Sequence, residues 1–187
     1  MYFDKPGKEN TEQTLKLAKN SPWERHVVLV SPEVHWNTGN IGRTCIGARA
    51  LLHLIEPLGF SLDDKHVKRA GLDYWPKVRL FVWKNFQEFL HEIKPLENQV
   101  ALFTKNGQRS LWTMNPPQRL FLVFGSETKG LPADILEMYP DNTYNIPIST
   151  GIRSLNLSTA AGIALYESLR SINPENEWTS NHFCKPQ

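Results

Sequence analysis

The chain has 187 residues, 40% of them hydrophobic, with 21 Lys and Arg against 19 Asp and Glu. That length buries one sizeable core and argues against a second full domain, and a formal charge of +2 is too mild to demand a nucleic-acid partner. No apolar run approaches the roughly 20 residues of a membrane-spanning helix, and Cys45 and Cys184 have no partner at disulfide-framework or zinc spacing, so the expectation is a soluble, cytoplasmic protein without a metal site.

Residues 1–25 carry little apolar periodicity beyond Leu15, Leu17 and Ala18 and read as a polar N-terminal extension with no signal core. From His26 the pattern alternates. Apolar run 27–30 is followed by a helix near 40–50, run 52–56, a short basic helix near 63–70, run 78–83, a helix near 86–93 and run 100–103. Run 120–124, a helix near 131–139, run 143–148 and a long helix near 156–171 complete the domain at residues 26–172, and a polar tail follows over 173–187. Strand and helix in turn predict an α/β fold with a mostly parallel sheet covered by helices on both faces. The unbroken run Leu120-Phe121-Leu122-Val123-Phe124 suits a strand buried on both sides.

Familiar nucleotide signatures fail one by one. Gly125 to Gly130 has phosphate-loop spacing, but Leu131-Pro132 stands where Lys and Ser or Thr would hold phosphate and magnesium. There is no dinucleotide-binding glycine fingerprint and no hydrolase motif. Three segments remain at strand-to-helix junctions: Asn37-Thr38-Gly39-Asn40-Ile41-Gly42-Arg43, Phe124-Gly125-Ser126-Glu127-Thr128-Lys129-Gly130-Leu131-Pro132, and Ile146 through Ser158. The first reads as a turn with Asn40 as a candidate N-cap and Arg43 about one helical turn further on. Ser154 and Asn156 are candidate caps or ligand contacts ahead of the last helix, and Glu127 needs a partner that Arg43 or Arg153 could supply. Lys65, His66, Lys68 and Arg69, followed by Tyr74, Trp75 and Lys77, combine positive charge with aromatic rings. That mixture suits single-stranded RNA, although a solvated helix face has the same composition.

These segments, with Ile55-Glu56-Pro57-Leu58-Gly59-Phe60 and Arg69-Ala70-Gly71-Leu72-Asp73-Tyr74 between them, closely resemble the SPOUT superfamily of knotted methyltransferases. The resemblance covers about Val27 to Ile172, and its middle motifs point to the small tRNA ribose 2′-O-methyltransferases that modify cytidine or uridine 34. It implies a C-terminal trefoil knot, which general folding rules would not predict, with S-adenosylmethionine bound inside it. Carried over by position, the cofactor pocket is lined by Phe103, Thr104, Gly125, Ile146, Ile148, Ser154 and Leu155, with Phe103 standing where relatives often have a smaller aliphatic residue. The resemblance also implies a homodimer that holds tRNA across both subunits, with Lys65, Lys68, Arg69, Tyr74 and Arg153 as the RNA-contact candidates.

The catalytic candidates are Arg43, Asn37, Glu127 and Asn156. A guanidinium is a poor base, so Arg43 is expected to stabilise the developing alkoxide and grip a neighbouring phosphate, with Asn37 and Glu127 orienting it. Two other readings stay open: the same fold acting on another tRNA or ribosomal ribose, and a non-catalytic RNA-binding module that uses Gly39-Asn40-Ile41-Gly42 as a backbone clamp.

Overall fold

The computed structural model describes residues 23–62 and 74–170. The expected N-terminal extension, basic helix near 63–70 and C-terminal tail therefore lie outside the described residues. Among the described residues seven strands build one sheet: β1 Glu24–Val30, β2 Leu51–Ile55, β3 Leu80–Trp83, β4 Val100–Phe103, β5 Arg109–Ser110, β6 Arg119–Phe124 and β7 Thr143–Asn145. Their order is β3-β2-β1-β6-β4-β7-β5, and every pairing is parallel. Among the described residues four α-helices cover the sheet: α1 His35–Gly47, α2 Phe86–Ile93, α3 Ala133–Met138 and α4 Leu157–Arg170. Among the described residues no helix is long and apolar enough to cross a membrane.

Both faces of the central strands are buried, as the unbroken apolar runs require. Val27 and Leu29 of β1 and Leu122 and Phe124 of β6 meet Ile41 and Cys45 of α1 and Ala161, Ala164 and Leu165 of α4. On the opposite face Val28, Val30, Phe121 and Val123 meet Phe86 and Phe89 of α2 and Ile135 of α3. Fully burying each large apolar side chain is worth about 1.5–3 kcal/mol, so these two layers dominate the stability of the fold.

Helix α1 corrects the sequence reading. It begins at His35 rather than near residue 40, its N-cap is Val34 with no side-chain bond, and Asn40 lies inside the helix rather than capping it. The Asn-Thr-Gly-Asn run is a weak helix former, and tertiary packing overrides it. Thr38 and Gly42 are buried in that helix, and a Cβ added at Gly42 would lie 2.7 Å from Cζ3 of Trp75, which is itself buried. The small residues therefore serve close helix packing and not a turn, which removes the backbone-clamp reading of Gly39 to Gly42. The pattern also missed β5, two polar residues that pair with β7 at the edge of the described sheet.

Two buried polar networks start from the amino end of β1, one on each face of the sheet. The Arg25 guanidinium donates to Ser168 Oγ at 3.0 Å, to the Ser168 carbonyl at 2.9 Å and to the Gln118 carbonyl at 2.8 Å, which fastens the end of α4 beneath β1 and β6. On the other face the Trp83 indole N–H donates to His53 Nδ1 at 3.0 Å, His53 Nε2 meets His26 Nδ1 at 2.8 Å, and His26 Nε2 meets Glu24 Oε1 at 2.7 Å. Arg119 donates to the same carboxylate at 3.2 Å. With the indole as a fixed donor, each imidazole can accept once and donate once only when both rings are neutral. Burial accordingly pushes His26 down to about 4, against the opposing pull of Glu24, and holds His53 well below its ordinary value.

Candidate active site

The three junction segments meet at the carboxyl edge of the sheet, where α/β folds hold their ligands. Asn37 Nδ2 donates to Glu127 Oε1 at 2.9 Å, and Asn156 Nδ2 donates to Asn37 Oδ1 at 3.0 Å. A carboxylate only accepts, so Glu127 fixes which way the Asn37 amide points, and Asn37 in turn fixes Asn156. That leaves Asn156 Oδ1 free to cap α4, where it accepts from Ser158 N at 2.8 Å and from Ser158 Oγ at 2.7 Å. Capping and site-building thus fall on one side chain. The chain of amides links residues 90 and 119 positions apart in sequence and closes the loop after β6 against the starts of α1 and α4.

Glu127 corrects a second expectation. Its partners are the Asn37 amide and the backbone N–H of Glu33, the latter at 2.8 Å, not the guanidinium of Arg43 or Arg153. Glu33 in turn accepts from Thr128 Oγ1 at 2.6 Å. Sequence reasoning missed Glu33 and Thr128 because one contributes through its backbone and the other had no partner in its own motif. Gly59 approaches the same corner, where an added Cβ would sit 2.6 Å from the Cα of Glu33.

The loop after β6 folds back on itself. Ser126 N donates to the Gly130 carbonyl at 3.2 Å and Gly130 N to the Ser126 carbonyl at 2.9 Å, with Gly130 at φ +71°. A Cβ on Gly125 would fall 1.9 Å from the Gly130 carbonyl carbon. The two glycines at phosphate-loop spacing thus close a loop on itself and leave no room for a phosphate between them.

Phe103 ends β4 and Thr104 follows it, Gly125 follows β6, and Ile146 and Ile148 follow β7, so these candidate cofactor residues share one sheet edge. Phe103 is buried and stacks on Phe124 at 4.8 Å, while Thr104 N donates to the Tyr144 carbonyl at 3.0 Å. Ile148 is 39% exposed and Ile152 53% exposed, large apolar side chains left uncovered in the segment between β7 and α4. Ser154 and Arg153 are exposed and Leu155 is half-buried on the approach to α4. Among the described residues no group of three His, Cys, Asp or Glu side chains could hold a metal ion.

Arg43 lies apart from the amide chain, six positions along α1 from Asn37, or about 9 Å along the axis. Neither Asn37 nor Glu127 holds it, against expectation. Its Cζ stands 4.3 Å from the centre of the Tyr74 ring, and the Tyr74 hydroxyl donates to the Gly39 carbonyl at 3.1 Å. Of the five RNA-contact candidates, Tyr74 and Arg153 are described, whereas Lys65, Lys68 and Arg69 lie outside the described residues.

The sequence profile of the SpoU rRNA methylase family matches residues 24–166. A Listeria innocua protein, provisionally named a tRNA (cytidine(34)-2′-O)-methyltransferase, is 46% identical over 148 residues, which cover 78% of this chain and 86% of that protein. A Bacillus subtilis protein with the same provisional name is 44% identical over 151 residues, 79% of this chain and 93% of its own. A solved structure described as giving insight into 2′-OH methylation of C/U34 on tRNA superposes with a TM-score of 0.73 at 41% identity and covers 80% of this chain and 97% of its own.

Proposed function

The chain belongs to the SpoU rRNA methylase family, and from that membership we propose that it is an S-adenosylmethionine-dependent methyltransferase acting on the ribose 2′-hydroxyl of tRNA at the wobble nucleotide, cytidine or uridine 34. The observation that carries the reading is the Asn156–Asn37–Glu127 chain, which gathers three separate segments at one sheet edge. The choice of wobble ribose rests on relatives 41–46% identical over most of both chains. The family description speaks of ribosomal RNA, but these relatives are nearer and are named for tRNA.

The residues at the carboxyl edge fit the cofactor. An adenosyl group needs apolar cover for its base and hydrogen bonds at its edges; exposed Ile148 and Ile152 follow β7 and would supply the first, and the backbone after β4 and β6, at Thr104 and Gly125, would supply the second. Ser154 and Leu155 belong to the same proposed pocket. A trefoil knot is part of the proposal. It is supported by β7 lying between β4 and β5 while α4, which follows it, returns to pack with α1 on the face of β1 and β6.

When bound, S-adenosylmethionine supplies an electrophilic methyl group on a sulfonium. The protein's part is positioning and charge stabilisation. The Arg43 guanidinium stabilises the ribose oxygen as its proton leaves and grips a neighbouring phosphate, through which, or through water, the proton departs. Asn37, Glu127 and Asn156 hold the three segments in register, and Asn156 fixes the ribose edge. Arg153, Lys65, Lys68 and Arg69 contact the RNA backbone. A homodimer belongs to the same reading, and Trp36 and Tyr166, 61% and 53% exposed on α1 and α4, are apolar surface that a second copy would cover. The proposed setting is the cytoplasm, where tRNA is the partner.

Labelled methyl transfer to total tRNA followed by nucleoside identification tests the activity. The reading requires 2′-O-methylcytidine or 2′-O-methyluridine. A base-methylated product, or incorporation into ribosomal RNA alone, would replace it.

A further inference from the structure

Tyr74 touches α1 at two points that both concern Arg43. Its ring lies 4.3 Å from the guanidinium carbon, and its hydroxyl donates at 3.1 Å to the carbonyl of Gly39, one helical turn before Arg43. In an α-helix that carbonyl is also the acceptor for the backbone N–H of Arg43. The ring has little freedom to leave. Trp75 beside it is 5% exposed and lies against Gly42, where even a methyl group would meet its ring at 2.7 Å. The turn that follows is closed by Lys77 N to the Tyr74 carbonyl at 2.8 Å and Val78 N to the Trp75 carbonyl at 3.0 Å.

We propose that Tyr74 is a positioning residue for Arg43 in methyl transfer, and not an RNA-stacking platform; the inference rests on the activity proposed above. Arginine has one of the more flexible side chains, so an unrestrained guanidinium would sample many positions around the reacting oxygen. An ion pair with Glu127 would fix it but would occupy the N–H groups that must reach the ribose oxygen and phosphate. A π face restrains the cation without supplying a hydrogen-bond acceptor, so the donors stay available. The same face, once covered by Arg43, is lost to a nucleobase. The amide chain then has a separate task, holding Glu127 and Asn156 together.

The test uses full-length protein with Tyr74→Leu and Tyr74→Phe, each alone and combined with Arg43→Ala. Single-turnover transfer at saturating tRNA and S-adenosylmethionine should fall about tenfold in Tyr74→Leu, the scale of a desolvated cation–π contact together with slight misplacement. Tyr74→Phe, which keeps the ring, should restore the rate to within about threefold. The Kd for tRNA should stay within about twofold in both, and Tyr74→Leu should cause no further loss once Arg43 is alanine, because coupled residues are not additive. Independently of activity, the Arg43 δ-CH₂ protons should be shifted upfield by the Tyr74 ring and return toward ordinary values in Tyr74→Leu. An equal loss in the Arg43→Ala background, a tenfold weaker Kd at unchanged rate, or unmoved Arg43 resonances would overturn the assignment. If the wild-type protein transfers no methyl group to tRNA, the activity reading fails, and the resonance shift still decides whether Tyr74 restrains Arg43.

Discussion

Acidification from pH 7.5 to 5.0 should destabilise this fold through two imidazoles that have no contact with the proposed active site. In the folded chain, protonating His26 would turn its Nδ1 from an acceptor into a donor facing the His53 N–H at 2.8 Å, and protonating His53 would do the same against the Trp83 indole at 3.0 Å. Both rings are fully buried, and burial holds His26 at about 4, below its ordinary 6.5. The unfolded chain takes up a proton as pH falls through 6.5 while the folded chain does not, so stability is full above 6.5 and drains away toward 4. At pH 5.0, His26 alone accounts for a loss of about 2 kcal/mol, and His53 adds to it in the same direction. Glu24, whose carboxyl is held below its ordinary 4.5 with His26 and Arg119 as partners against the cost of burial, contributes only at lower pH still. For a domain of this size, about 2 kcal/mol corresponds to a fall in Tm of about 4–8 °C. Thermal melts followed by circular dichroism across the range would measure it, with His26→Gln, which cannot titrate, as the control. A Tm constant to about 1 °C from pH 7.5 to 5.0, or the same slope in His26→Gln, would refute the reasoning.

Arg43→Ala should leave the Kd for S-adenosylmethionine nearly unchanged by calorimetry while single-turnover transfer falls at least about a hundredfold, the scale for losing one preorganised charge contact. Asn37→Ala removes the partner of Glu127 Oε1 and frees Asn156 from α1, so urea unfolding should register a loss of about 1–3 kcal/mol. Gly125→Ala, whose new methyl would overlap the Gly130 and Leu131 backbone at 1.9–2.2 Å, should cost more than about 3 kcal/mol. Gly130→Ala, with nothing within 4 Å of its added carbon but a φ of +71°, should cost only about 1–2 kcal/mol by the same measurement.

Much of the fold was legible because a parallel sheet covered on both sides writes its strands as unbroken apolar runs. Val100–Phe103 and Phe86–Ile93 fall where the pattern put them, Leu157–Arg170 differs from it by one residue at each end and Arg119–Phe124 by one residue at its start. The errors have a common cause. Asn37 to Gly42 has turn-like composition, yet its glycines answer to Trp75 and Tyr74, more than thirty residues away, so no local rule could place the start of α1. Arg109–Ser110 is too short and polar to show a period and is a strand only because Tyr144 and Asn145 lie beside it. In the site, the choice of Asn37, Glu127 and Asn156 anticipated a real cluster, but the partner of Glu127 was misread because charge suggested an arginine where geometry supplied an amide and a backbone N–H. The contact of Tyr74 with Arg43 joins residues more than thirty positions apart, which no local pattern reports.

In the proposed reaction the carboxyl edge of the sheet delivers a methyl group to one ribose oxygen. Two anticodon stem-loops identical except for a 2′-deoxy sugar at position 34 test it most directly. Labelled S-adenosylmethionine should methylate the ribose version and leave the deoxy version unlabelled; equal labelling of both, or none of either, would contradict the account.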